Sequence, residues 1–162
     1  PQIKKLNIHS MNSLYFAYGS NMNFDQMKIR CPESVFLSPA YLKDWLYFIN
    51  GDGYAGIKKN KNSVTYGCLW KLNKRHWQSL DHYEAVDEGF YSLFDVMVTT
   101  EIYGVEELVT TYLSNNQSFG IPSMSYQKGV IEGAGQAGLP DNYIQTLESW
   151  KNGCPDRYDM DL

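Results

Sequence analysis

The sequence predicts an α+β fold built around a mixed or barrel-like sheet, and three observations carry that expectation. The strand-like segments mostly follow one another instead of alternating with helices, the pattern of α+β proteins and not of doubly wound ones. Beyond Pro122 the apolar spacing turns helical and stays so. A length of 162 residues falls within the usual size of one domain and suffices to bury a core without disulfides or metals.

Residues 1–12 are polar without clear period and read as an extension. Leu14 to Ala17 form an apolar opening strand, which runs through Tyr18 into the bare polar corner Gly19-Ser20-Asn21. Asn23 is an N-cap for a short helix over "FDQMKIRC", ended by Pro32. Val35 to Asn50 is extended, with Trp45, Tyr47 and Ile49 on one face and Leu46 and Phe48 on the other, and "GDGYAG" follows as a turn or bulge. Val64 to Leu72 is a strand in which Gly67 marks a bulge or a close approach. Asn73 caps a helix carrying Trp77, Leu80 and Tyr83 or Glu84 at helical spacing up to Val86. Tyr91–Ile102 and Glu107–Leu113 pair as a hairpin, and two helices end the chain, with Pro140 in the first turn of the second.

The charge balance excludes some partners. Fourteen basic residues against 18 acidic ones give a net charge of −4, so no positive field exists to draw in nucleic acid or an acidic membrane surface. No apolar run reaches the roughly 18 residues that would span a bilayer. Three cysteines without C-x-x-C spacing, and no leader-like segment before the first strand, fit a reducing cytoplasm. The aromatic share of 15%, with 13 Tyr, points to an aromatic-lined core or pocket.

Most motifs that suggest chemistry do not meet its structural requirements. "GAGQAG", Gly133 to Gly138, satisfies G-x-G-x-x-G but lacks the preceding strand and the following βαβ unit that a dinucleotide site needs. His9, His76 and His82 are spaced poorly for a ligand set and read as surface or partly buried. Cys68 lies within a strand and reads as core. The acids Asp81, Asp87 and Glu88 read as a solvated helix end, whereas Glu84 follows Leu80 by four and falls on the apolar stripe. A carboxylate there must be paired, protonated or functional. The Gly19-Ser20-Asn21 corner is likewise either turn chemistry or a nest of N–H groups for an anion.

Together, "LYFAYGSNM", "LDHYEAVDEGFY" and "PSMSYQKGVIEGAGQAGLPDNY", separated by strand-rich segments, resemble the γ-glutamylcyclotransferase family and its AIG2-like relatives. The third segment is closer to the glutathione-pathway members than to the shorter γ-glutamylamine enzymes. The resemblance implies a small mixed β-barrel with flanking helices over residues 14–150, an N-terminal extension at 1–13 and a tail at 151–162. By motif position Glu84 is the family's essential acid-base carboxylate. Tyr18, Gly19, Ser20, Asn21, Tyr91 and Tyr126 occupy substrate-pocket positions, and Ala85 departs from the Gly that many members carry.

The implied reaction is intramolecular: the α-amine of a γ-glutamyl group attacks its own γ-carbonyl, closing 5-oxoproline and releasing the former acceptor as a free amine. It needs no metal, cofactor or covalent enzyme intermediate. The expected partner is a γ-glutamylated small molecule, with no nucleic acid or membrane, and a homodimer is expected because members are often dimers. Cyclising release from a γ-glutamylamine, or a non-catalytic binding domain on the same fold, are the alternatives.

Overall fold

Two long strands set the architecture. The computed structural model describes residues 13–156, and in it β2 (Val35–Ile49) and β3 (Ala55–Lys71) run antiparallel. Register shifts between Phe36 and Ser38 and between Lys43 and Trp45 bend the pair. At the second shift Asp44 takes a φ of 67°, and its carboxylate accepts the Asn62 N–H at 3.0 Å. Such bulges increase twist and curvature. The bent pair closes with β1 (Leu14–Ala17), β4 (Tyr91–Thr100) and β5 (Glu106–Ser114) into a barrel of order β1–β3–β2–β4–β5. Neighbours are antiparallel except at the closing seam, where β1 meets β5 parallel at Tyr15↔Thr110. Side chains reinforce that short seam: Thr111 Oγ1 donates to Phe16 O at 2.7 Å, and the Tyr18 hydroxyl donates to Tyr112 O. The mixed barrel with flanking helices is the fold the sequence implied.

Four helices flank it: α1 (Phe24–Arg30), α2 (Lys74–Tyr83), α3 (Met124–Ala137) and α4 (Asp141–Ser149). Asn23 caps α1 as expected, accepting the N–H groups of Asp25 and Gln26 at 3.0 and 3.1 Å. Asn73 caps α2 by accepting the His76 N–H, while the Asn73 N–H donates to His76 Nδ1, each at 3.0 Å. His76 is therefore buried, not at the surface: its ring completes a reciprocal cap and its other nitrogen meets Pro32 O. His9 lies outside the described residues. Among those described, no helix is long and apolar enough to cross a membrane.

Three boundaries differ from expectation for physical reasons. β3 starts at Ala55, not at Val64, because its first half pairs with β2 while "KKNKNS" stays largely at the surface and shows no alternation. Helix α2 stops at Tyr83 because Ala85 turns into the left-handed region at φ 51°. Pro140 caps α4 from just outside instead of lying in its first turn. All of Trp45 to Ile49 is buried despite the predicted two faces. Tyr47 packs against Trp150 and hydrogen-bonds Gln127 of α3, while Phe48 packs on Phe119.

The rejected G-x-G-x-x-G has a packing role. A Cβ on Gly133 would stand 2.5 Å from Asn23 N and 2.6 Å from Met22 C, so the absent side chain lets α3 lie against the backbone that follows β1. Gly138 ends α3 at φ 77°. Gly67 is a close approach as well, because a Cβ there would overlap the Ala17 carbonyl oxygen. Gly133→Ala is expected to lower stability by about 1–3 kcal/mol. Gly135→Ala, with nothing within 4 Å, should raise it by up to about 1 kcal/mol through helix propensity. Chemical unfolding of both variants checks this, and equal effects would rule out the close approach as the constraint.

Candidate active site

The corner after β1 is a 3₁₀ turn over Ser20–Met22. Its own backbone bonds begin with Met22 N–H to Gly19 O at 3.0 Å and Asn23 N–H to Ser20 O at 3.1 Å. The N–H groups of Ser20 and Asn21 therefore precede the turn's own ladder, as at any helix start. Gly19 has an ordinary φ of −116°; what demands glycine is space, since a Cβ would lie 3.0 Å from Ala55 Cβ and 3.2 Å from the Tyr126 hydroxyl. Helix α3 holds the turn from behind, where Asn23 Nδ2 donates to Gly129 O at 3.0 Å.

Glu84 reaches the same place from α2. Trp77 and Leu80 bury that helix against the barrel, and Glu84 N–H bonds Leu80 O at 2.7 Å, continuing the last turn. Its carboxylate, at the C-cap, accepts Asn21 Nδ2 at 3.3 Å; the same nitrogen donates to the Tyr15 hydroxyl at 3.0 Å. Burial pushes the Glu84 carboxyl up to about 7, against the downward pull of the Arg30 guanidinium and the Asn21 hydrogen bond. Desolvation wins because the neighbouring walls are phenol rings. Ala85 carries the left-handed φ noted above, which glycine adopts without steric cost.

The tyrosines divide into walls and struts. Tyr91 donates to Ala55 O at 2.7 Å, and the Ala55 N–H donates to the Tyr126 hydroxyl at 3.0 Å, so the two phenols hold one residue's backbone from both sides. Burial raises both phenols well above their ordinary range. Tyr18 spends its hydroxyl on the barrel seam and offers its ring to the site. All the expected residues, Tyr18, Gly19, Ser20, Asn21, Glu84, Tyr91 and Tyr126, line one cavity of about 280 Å³. Tyr54, Tyr83 and Phe90, each roughly half exposed, also line it.

Besides these lining residues, sequence reasoning missed two charged contributors. Asp81 is not simply solvated: its Oδ1 accepts the Tyr112 hydroxyl at 2.6 Å. Arg30 Nη1 donates to Asn21 Oδ1 at 2.5 Å and to Ser20 Oγ at 3.1 Å, and its guanidinium lies 3.5 Å from the Tyr83 ring centroid. By sequence alone Arg30 is an ordinary basic residue completing a helix dipole. Two of the cysteines offer no competing site: Cys31 and Cys68 are buried, and burial lifts the Cys31 thiol to about 12.

Comparison with known proteins gives this geometry a context. The AIG2-like family profile matches residues 64–147. The human protein named gamma-glutamylcyclotransferase is 35% identical over 146 residues, covering 84% of this chain and 77% of the human one. Its bovine counterpart of the same name is 36% identical with the same coverage. A solved structure described as a gamma-glutamyl cyclotransferase superposes with a TM-score of 0.80 at 32% identity, covering 91% of each chain. A closed mixed barrel that brings the Y-G-S-N turn and a half-buried Glu to one cavity is thus found on a chain that belongs to the γ-glutamylcyclotransferase family of enzymes.

Proposed function

We propose that this protein is a γ-glutamylcyclotransferase that folds a γ-glutamyl chain onto itself, closes 5-oxoproline and releases the former acceptor as a free amine. The observation that carries the reading is the Glu84 carboxyl, raised to about 7, beside the Tyr18–Asn21 corner in a single cavity. The substrate amine arrives as an ammonium and attacks only after losing a proton. Glu84, deprotonated, takes that proton and gives it to the departing nitrogen; the second proton that the attacking nitrogen sheds on ring closure passes by the same carboxylate to the released amine, which leaves as an ammonium. A carboxyl near pH 7 can do both, whereas an ordinary one would be a feeble base.

The N–H groups of Ser20 and Asn21 are the donors for the substrate's negative oxygens, the α-carboxylate or the oxyanion formed on ring closure. Tyr91 and Tyr126 shape the opposite wall through the Ala55 backbone. Because nucleophile and electrophile share one molecule, orientation supplies much of the acceleration, with effective molarities of about 10⁵ M or more.

One observation favours a narrower substrate. Among the cavity's lining residues there is no Lys, Arg or His, and Glu84 is the carboxylate they contain. An amino-acid acceptor would bring a carboxylate of its own to a wall of phenol rings, so this lining makes a γ-glutamylamine the second reading, whereas the third sequence segment, closer to the glutathione-pathway members, favours an amino-acid acceptor. The same reading assigns the enzyme to the reducing cytoplasm, which the buried thiols of Cys31 and Cys68 suit, and takes it to be a homodimer. The exposed Met97–Leu108 pair across β4 and β5 supplies an apolar face.

Glu84→Gln is expected to fold and bind but lose about 10²–10⁴-fold in turnover, the usual share of general acid-base catalysis. The assay is 5-oxoproline release from γ-glutamyl amino acids and γ-glutamylamines; near wild-type rates would move the role elsewhere. In the wild type, kcat/KM should rise with pH through a midpoint near 7 as Glu84 deprotonates.

The same carboxyl predicts a stability trend. Its folded value of about 7 lies above the ordinary 4.5, so the folded state binds this proton more tightly than the unfolded one. The stability it contributes is fully present below about pH 4.5 and is lost as pH rises through about 7. Glu84→Gln, which cannot titrate, should gain stability relative to wild type as pH rises across that window. Thermal unfolding at several pH values measures the difference, and a pH-independent gap would mean the carboxyl is not raised.

A further inference from the structure

Asn21 hydrogen-bonds the Glu84 carboxylate, and an amide can face either way. Its oxygen end meets Arg30 Nη1 at 2.5 Å, and its nitrogen end meets Glu84 Oε1 at 3.3 Å and the Tyr15 hydroxyl at 3.0 Å. A guanidinium has donors and no acceptor. The amide oxygen must therefore face Arg30, which forces both Nδ2 hydrogens toward the carboxylate side. Arg30 is itself fixed from three directions. Nη1 also donates to Ser20 Oγ at 3.1 Å, the guanidinium stacks 3.5 Å from the Tyr83 centroid, and the Arg30 carbonyl accepts Ser79 Oγ at 2.7 Å. One residue on α1 thus ties the turn after β1 to the end of α2, the two pieces of backbone that carry Asn21 and Glu84.

We propose that Arg30 is a positioning residue of this site, which locks the Asn21 amide with its donors toward Glu84 and so keeps that carboxyl able to ionise inside a phenol-walled cavity. The inference rests on the reading of Glu84 as the acid-base group. The charged and titratable groups acting on Glu84 come from every element around it. Tyr15 stands on β1 and Tyr18 just after it, Tyr91 on β4, Tyr112 on β5, Tyr126 on α3, Asp81 on α2 and Arg30 on α1. Arg30 is the cation in that set. With it removed, nothing in the geometry prevents the amide from turning its oxygen to Glu84. An acceptor facing a carboxyl favours the protonated form, so loss of the charge and loss of the lock act in the same direction.

The test uses the full chain with Arg30→Met, which removes charge and fork, and Arg30→Lys, which keeps a charge but not the planar fork and its stack. The Glu84 carboxyl is titrated in substrate-free protein by infrared difference spectroscopy against Glu84→Gln, and kcat/KM is followed against pH. Arg30→Met is expected to move both midpoints upward by about one pH unit, the lower end for loss of a nearby opposite charge. Arg30→Lys should move them upward by less. Circular dichroism checks folding, and Arg30→Lys alone decides should the Met variant fail to fold. A folded variant of either kind whose carboxyl titrates as wild type overturns the proposal, even if turnover falls. The infrared titration needs no turnover, so it still decides the role of Arg30 if Glu84→Gln proves active and the acid-base reading fails.

Discussion

Helix α3 lies so close to the turn after β1 that a single methyl at Gly133 would overlap the backbone of Met22 and Asn23. That contact is backbone against backbone, so neither side can yield by changing a rotamer, and interiors at crystal-like density transmit such constraints. The turn is gripped further by Asn23, which caps α1 with one end of its amide and bonds α3 with the other. Behind the turn stands β1, only four residues long, stitched to β3 along its whole length and to β5 at the seam. In the proposed mechanism the N–H groups of Ser20 and Asn21 are the oxygen donors, and this grip holds them before any substrate arrives, as electrostatic preorganisation requires.

The second half of the site depends on water being kept out. Tyr15, Tyr18, Tyr91, Tyr112 and Tyr126 surround the cavity, and burial lifts all of their phenols. Their hydroxyls are largely occupied with barrel carbonyls, with Asp81 or with the Ala55 backbone. What remains for Glu84 is a wall of ring surface, which penalises its charge, and the Arg30 guanidinium with the Asn21 amide in front of it, which relieve it. A carboxyl poised near neutrality is the balance of those opposing contributions, and no isolated feature of Glu84 produces it.

Much of this was legible because it follows local rules. Asn23 and Asn73 announce their helices by residue type, Pro32 and the glycines mark turns, and Glu84 stands out as an acid four residues after a buried Leu80. The "KKNKNS" stretch of β3 was not legible, since a ribbon with little buried surface imposes no alternation on its residues. Asp81 was lost among neighbouring acids because its partner, Tyr112, is 31 residues away. Arg30 was missed for the same reason: its meaning lies in contacts with Ser20, Asn21 and Tyr83, none of which helical spacing could reveal. The Y-G-S-N corner left turn chemistry and an anion nest both open until the family resemblance, and the need for Gly19 proved to be the nearness of Ala55 and Tyr126, not its dihedral angles.

A site with so few charged groups suits a reaction in which one molecule carries both reacting ends. An intermolecular transfer would need a second binding site and a way to exclude water from an acyl intermediate. Ring closure needs a mould of the right shape, a base and donors for oxygen. In the proposed mechanism aromatic walls serve as the mould and, by burying the Glu84 carboxyl, raise it into the range of a useful base. The same burial has a thermodynamic consequence, because a carboxyl that resists ionising weakens the fold at the pH where the proposed mechanism needs it ionised. Arg30 opposes that penalty without entering the cavity: a cation placed inside would pair with Glu84 directly and quench it as a base, whereas one acting through Asn21 eases ionisation and leaves the carboxylate open to the substrate amine.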